Sequence, residues 1–210
     1  MPSLVADVMT TSVVAVRQTA EFKDIVEVMR RRQLGAFPVL DAADRVIGVV
    51  TEADLLPREA YPARPGAGGH AGVPAKAAAL TAAELMSSPP ITIGPGASVT
   101  EAARLMYTRH VRRLPVVDAE GRLVGIVSRR DLLALYDRPD EQIRAEILER
   151  VIAGEFVLDP SEFTVSVASG VVTISGRVRQ EEVARRLVEA IWDVPGVVGV
   201  EDRLRYPVAG

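Results

Sequence analysis

The hydrophobic pattern of this chain is written twice. Phe22, Ile25, Val26 and Met29 stand at i, i+3, i+4 and i+7, and Val99, Ala102, Ala103 and Met106 repeat the spacing. Each set predicts an apolar stripe on a helix. After each helix the pattern changes to an apolar strand, a tight turn and a second apolar strand, over residues 34–50 and again over 110–127. Each strand pair leads into a polar helix start, Thr51-Glu52-Ala53-Asp54 or Ser128-Arg129-Arg130-Asp131. Upstream, a short helical pattern ends in methionine (Ala6-Asp7-Val8-Met9; Ala83-Glu84-Leu85-Met86), and an extended segment follows at Val13–Val16 or Pro90–Ile93. Met9 and Met86, Met29 and Met106, Pro38 and Pro115, Gly48 and Gly125, and Asp54 and Asp131 are all 77 residues apart. A constant offset with no insertion marks duplicated structural units. Each unit reads α-β-α-β-β-α and is too small to bury its apolar faces alone, so two copies are expected to pack together. In the second copy Ser98 and Glu101 form a capping-box signature.

These patterns divide the chain into a first repeat at 1–56, a connector at 57–79, a second repeat at 80–136 and a further unit at 140–206. The connector is dense in proline, glycine and alanine and reads as flexible. His70 within it reads as a solvated residue. The last unit opens on an amphipathic helix, Asp140 to Ala153, with Ile143, Ile147 and Val151 on one stripe. Alternating strands at 163–167 and 171–178 flank a Ser169-Gly170 turn. A helix from Gln180 to Trp192 and a strand from Val198 to Leu204 complete an α-β-β-α-β unit, in which Trp192 is expected in the core.

Composition narrows the function. Apolar residues make up 48% of the 210 positions, as in ordinary globular proteins, and the net charge of -3 argues against a large nucleic-acid surface. Without cysteine there is no disulfide, thiolate zinc site or thiol nucleophile. The N-terminal residues have no secretory pattern, and no apolar run approaches the ~20 residues of a membrane span, so a cytoplasmic protein is expected. Two histidines and no phosphate-cradling Gly-Lys-Ser/Thr loop leave no visible catalytic set, and no metal site is expected.

Residues 3 to 135 resemble a tandem pair of cystathionine-beta-synthase-type (CBS) domains, a Bateman module. The likeness rests on features present in both copies: the methionine ending the first helix, the apolar-Pro-Val strand, the glycine in the next strand and the Thr/Ser-x-x-Asp ending. Residues 140 to 206 resemble a BON domain, through Ser169-Gly170-Val171-Val172-Thr173-Ile174-Ser175-Gly176 and Val194-Pro195-Gly196-Val197-Val198-Gly199-Val200. Together they imply an α+β fold: a CBS pair of duplicated βαββα-type units followed by a small α-β-β-α-β BON domain.

The CBS resemblance implies a cleft that binds adenosine-containing ligands such as AMP, ATP, NAD or S-adenosylmethionine. It places the ribose-binding aspartate at Asp54 and Asp131 and a nearby hydroxyl at Thr51 and Ser128. It assigns base contacts to Ser12, Val13 and Val14 and to Pro89, Pro90 and Ile91, with Ala36, Phe37 and Pro38, and Arg113, Leu114 and Pro115, completing the pockets. The chemistry is suitable, since a carboxylate accepts both hydrogen bonds of a ribose diol, and a helix start with a hydroxyl meets phosphate. The same residues also have the form of capping boxes, which would hold the carboxylates in helix-start hydrogen bonds.

The copies differ in charge. Arg112, Arg113, Arg129 and Arg130 stand where the first copy has Gly35, Ala36, Glu52 and Ala53. Charge-assisted hydrogen bonds to phosphate are roughly twice as strong as neutral ones, so the Asp131 pocket is expected to be the stronger phosphate site, with Arg113 able to serve either pocket. His110 reads either as a phosphate contact or as a cation at a helix C-terminus. The resulting expectation is a non-enzymatic regulatory protein with an adenine nucleotide (AMP, ADP or ATP) as ligand and no required cofactor. A homodimer formed through the CBS module is expected, with a protein or phospholipid partner for BON and no nucleic acid. Interleaved acids among the BON arginines make strong attraction to anionic lipid unfavourable. The alternative is a dimeric, stress-associated scaffold whose CBS pair is structural and whose BON domain does the binding.

Overall fold

The computed structural model describes residues 3–61 and 75–207. In chain order its elements are α1 (Val5–Val8), β1 (Val16–Arg17), α2 (Phe22–Arg32), β2 (Ala36–Leu40), β3 (Val46–Thr51), α3 (Glu52–Ala60), α4 (Ala82–Leu85), α5 (Val99–Thr108), β4 (Arg113–Val117), β5 (Leu123–Ser128), α6 (Arg129–Leu133), α7 (Asp140–Glu146), β6 (Phe163–Ala168), β7 (Val171–Arg177), α8 (Glu181–Trp192) and β8 (Gly199–Arg205). Short 3-10 turns lie at Ala75–Ala77, Ala134–Tyr136 and Pro160–Glu162, and α7 passes into a π-helical segment, Ile147–Glu155. The mixture of helix and strand is the α+β class expected from the sequence. The described residues form two units, one from 9–97 and 108–127, the other from 3–8, 98–107 and 128–207.

In the first unit, β1 pairs in parallel with β2, and β2 pairs antiparallel with β3 across a bulge at Val39/Leu40. The equivalent β4–β5 hairpin has a single parallel bridge, Ile93 to Val116, at the position where the first copy has Val16 opposite Val39. The copies exchange parts. Ser87, just after α4, bridges to Val49 of β3, and Thr10 bridges to Ile126 of β5. The methionine ending each opening helix lies over the other copy's strand glycine. A Cβ on Gly48 would fall 2.4 Å from the Met86 sulfur, and one on Gly125 would fall 2.5 Å from that of Met9. Ala79, Ala82 and Leu85 therefore complete a core with Val16, Ile25, Met29, Phe37, Val39 and Val50 of the first copy. The first copy's core thus includes α4 of the second.

The helical stripes are narrower than the sequence pattern suggests. Ile25 and Met29 are buried while Val26 is 39% exposed, and Ala102 and Met106 are buried while Ala103 is exposed. Of the four positions in each stripe, i+4 turns outward on these short helices. Both end on a left-handed residue, Gln33 (φ 52°) and His110 (φ 54°), at matching positions. Helix α3 also runs beyond the expected start of the connector, through Pro57 to Ala60. Its second half is held because Arg58 donates to the Ala79 carbonyl at 3.0 Å and lies 4.9 Å over the Phe22 ring. His70 lies outside the described residues.

The second unit contains the C-terminal α-β-β-α-β arrangement. Strands β6 and β7 are antiparallel in unbroken register from Phe163/Gly176 to Ala168/Val171, and β8 adds in parallel to β7. Ile143, Ile147, Val151 and Ile152 pack with Val172, Ile174, Leu187 and Ile191 in one core. The Ser169-Gly170 turn is held from outside the hairpin, since both of its N–H groups donate to the Asp140 carboxylate at 2.8 Å. Trp192 corrects its expectation. It is 51% exposed, because the buried face of α8 runs through Ala184, Leu187 and Ile191, and the neighbouring position turns about 100° away.

Candidate functional site

Strand alternation decides which residues around the repeated Pro-Val strand are available to a ligand. At the start of β2, Ala36 faces a cavity while Phe37 is fully buried in the core. Pro38, Leu114 and Pro115 are likewise buried, so their side chains serve packing. The cavity, of about 570 Å3, lies within the first unit. Its walls are Gly35-Ala36, Val49 and the helix start Thr51-Glu52-Ala53 from the first copy, with Ser87, Pro89-Pro90-Ile91 and His110-Val111-Arg112-Arg113 from the second.

This arrangement groups the residues differently from the two sequence copies. Pro89, Pro90, Ile91, His110, Arg112 and Arg113 belong to the second copy, yet they face the Thr51 helix start of the first. The cause is the exchange of segments just described, which carries Ser87 and the residues after it onto β3. Among the described residues neither Arg112 nor Arg113 makes an ion pair, and Arg112 is exposed. On the opposite wall the Glu52 carboxylate lies over Gly35, where a Cβ would come within 3.2 Å of Oε2. One cavity thus offers two guanidinium groups, one imidazole, one carboxylate and an apolar wall of Pro90 and Ile91. His110 has both features weighed for it, ending α5 in a left-handed conformation and lining the cavity.

The aspartates are set apart from that surface. Asp54 is 9% exposed and is not among the lining residues. Its Oδ2 accepts from the Thr51 N–H and from the Thr51 hydroxyl, each at 2.7 Å. Its Oδ1 accepts from Lys76 Nζ, in an ion pair, and from the Ser87 hydroxyl at 3.4 Å. Burial works to raise the Asp54 pKa. The hydrogen bonds from Lys76 and from the Thr51 side chain and backbone outweigh it and hold the carboxyl below its ordinary value. Lys76 was not anticipated, since it sits inside the expected connector. The one available signal is compositional: Lys76 and Lys23 are the only lysines among 25 cationic side chains.

At the matching helix start, Asp131 Oδ2 accepts from the Ser128 N–H and hydroxyl at 2.7 Å each, and the Asp131 N–H donates back to Ser128 Oγ at 3.4 Å. Among the described residues its Oδ1 accepts no hydrogen bond. The capping-box geometry is therefore present at both positions. Arg129 and Arg130 are exposed on the first turn of α6, Ser12 is exposed, and Val13 and Val14 are half-buried outside this cavity. Among the described residues no cluster of three or more His, Asp or Glu could hold a metal ion. No described helix is long and apolar enough to cross a membrane.

The CBS-domain family profile matches residues 5–60 and 82–138. The chain belongs to the CBS-domain family. A BON-domain profile matches residues 139–207, so the CBS pair is followed by a BON domain. This CBS-domain protein is 30% identical over 129 residues to the uncharacterized protein MK0525 of Methanopyrus kandleri, a match covering 61% of the chain and 60% of MK0525. It is 31% identical over 130 residues to the CBS domain-containing protein YhcV of Bacillus subtilis, covering 62% of the chain and 83% of YhcV. Among solved structures it is similar to CBSX2 in complex with AMP, at 27% identity and a TM-score of 0.55, over 62% of this chain and 94% of that one.

Proposed function

We propose that this protein is a non-enzymatic, cytoplasmic regulator that senses an adenosine-containing nucleotide in the cavity at the Thr51 helix start, acts as a homodimer, and carries its BON domain as the module that meets a protein or phospholipid partner. The observation that carries the reading is the meeting in one cavity of a helix start, an apolar wall and two guanidinium groups. The Pro90 and Ile91 wall suits a base. The positive end of α3 suits phosphate oxygens, with Arg112 and Arg113 supplying charge from the facing segment. The volume falls in the range of small-molecule sites. The similarity to a protein crystallised with AMP supports the same class of ligand. The phosphate charge that the sequence attached to the Asp131 pocket is thereby assigned to the first copy's helix start. A ligand that bound one arrangement of the paired domains better than another would shift the equilibrium between them.

Calorimetric titration with adenosine, AMP, ADP, ATP, NAD and S-adenosylmethionine tests this reading. Arg113→Ala is expected to weaken ADP and ATP by about tenfold, with adenosine nearly unchanged. Equal losses across the series would remove the phosphate role. One observation favours the scaffold instead, namely that Asp54 is already fully hydrogen-bonded by the protein itself. Silence of the folded protein toward the whole panel would establish the scaffold, and a monomer by light scattering would exclude the dimer.

A further inference from the structure

A carboxylate offers about four acceptor positions, two on each oxygen. At Asp54 all four are in use. Oδ2 accepts twice from Thr51, and Oδ1 accepts from Lys76 and from Ser87. Three of these donations come from Thr51 and Ser87, and the fourth comes from a lysine in the connector, 22 residues downstream. Lys76 also touches a residue of the cavity wall, because its ammonium donates to the Ser87 hydroxyl at 3.3 Å and Ser87 lines that wall. The Lys76 side chain is 29% exposed and that of Asp54 11%, so solvent screens the pair less than it would a surface pair.

We infer that Lys76 is a specificity-determining residue of this site: by occupying the Asp54 carboxylate it withdraws the acceptor that would read a ribose 2′,3′-diol, so the site selects its ligand by phosphate and not by sugar. The inference rests on the nucleotide reading above. Each ribose hydroxyl needs a free acceptor position, and Asp54 has none to give while Lys76 and Ser87 hold Oδ1. Nucleotides with and without the 2′-hydroxyl therefore bind this site alike. Removing the ammonium frees one acceptor position on Oδ1, enough for the 2′-hydroxyl, and with it restores discrimination between the two sugars.

The test compares AMP with 2′-deoxy-AMP by calorimetry on the full chain in an Asp131→Asn background, which removes the matching carboxylate of the second copy. With Lys76 present the two nucleotides are expected to bind equally. With Lys76→Met added, AMP should be preferred by about tenfold, the worth of a hydrogen bond to a charged group. Adding Asp54→Asn to that variant should abolish the preference. A tenfold preference for AMP with Lys76 still present, or none after Lys76→Met, overturns the inference while leaving nucleotide binding intact. Binding of neither nucleotide by any of the proteins overturns the nucleotide reading and this inference with it. Should Lys76→Met fail to fold, the wild-type protein answers through lysine-selective 15N NMR, since it has only two lysines. The Lys76 ammonium signal should respond identically to AMP and to 2′-deoxy-AMP, and a response specific to AMP overturns the inference.

Discussion

Residues 51–54 and 128–131 occupy the same place in the two copies, and both aspartates begin from the same pair of 2.7 Å hydrogen bonds to the hydroxyl residue three positions before them. They then diverge. Asp54 is buried and its second oxygen is held by Lys76 and Ser87, whereas the second oxygen of Asp131 accepts nothing among the described residues. The motif supplies the local geometry of a helix start, but it does not decide whether the carboxylate is available. That depends on what the rest of the chain brings within reach, here Lys76 from the segment joining the copies and Ser87 from just after α4.

The largest expected effect separates the two carboxylates by stability. Asp54→Ala leaves Lys76 without its partner and the Thr51 N–H unpaired, and should cost about 2–3 kcal/mol. Asp131→Ala likewise leaves the Ser128 N–H without its acceptor but strands no half-buried ammonium, and should cost about 1 kcal/mol. Urea unfolding of the two variants compares them directly, and equal losses would break the contrast.

A second, smaller effect is a pH dependence located at Asp54. Its folded pKa lies below the ordinary value, so the unfolded state binds more protons as the pH falls. The stabilisation is complete above the unfolded pKa of about 3.9 and is lost as the pH drops through the folded value. The stability difference between wild type and Asp54→Asn should therefore be constant from about pH 5 to 7 and shrink below about pH 4. A difference that grows on acidification would reverse the assigned sign.

The smallest effect tests where the copies should agree. Gln33 and His110 end equivalent helices with φ of 52° and 54°, a conformation that favours glycine. Gln33→Gly and His110→Gly should each raise stability by a few tenths to about 1 kcal/mol, by thermal unfolding. Gains that differ widely between the two would show that their surroundings, not the shared backbone, set the energetics.

Much of the fold was legible because it repeats. The constant offset of 77 residues identified both units, and strand alternation with turn chemistry located the hairpin of the BON domain close to its observed bounds. The candidate site was legible in its parts. Ala36, Thr51, Pro89, Pro90, Ile91, His110, Arg112 and Arg113 were all named from sequence, and all eight line one cavity. Their grouping was not legible, because a repeat in sequence carries no information on which copy's segment lies against which strand. Val26, Ala103 and Trp192 show the same limit on a smaller scale, since periodicity tells which residues share a face but not how wide a face the neighbours will cover.

The sequence by itself determined the duplicated α+β architecture, the third unit and the residue types that could meet an adenosine phosphate, because these follow from local periodicity and composition. Only the tertiary structure decided that the methionine following each copy's opening helix is seated against the other copy's strand glycine, Met86 on Gly48 and Met9 on Gly125. Only it placed Arg113 opposite Thr51 and Lys76 on Asp54. The physical reason is common to all of these. Each is a contact between residues far apart in the chain, made so that a core too small to close alone is filled and a buried carboxylate is paired, and no local pattern encodes the partner.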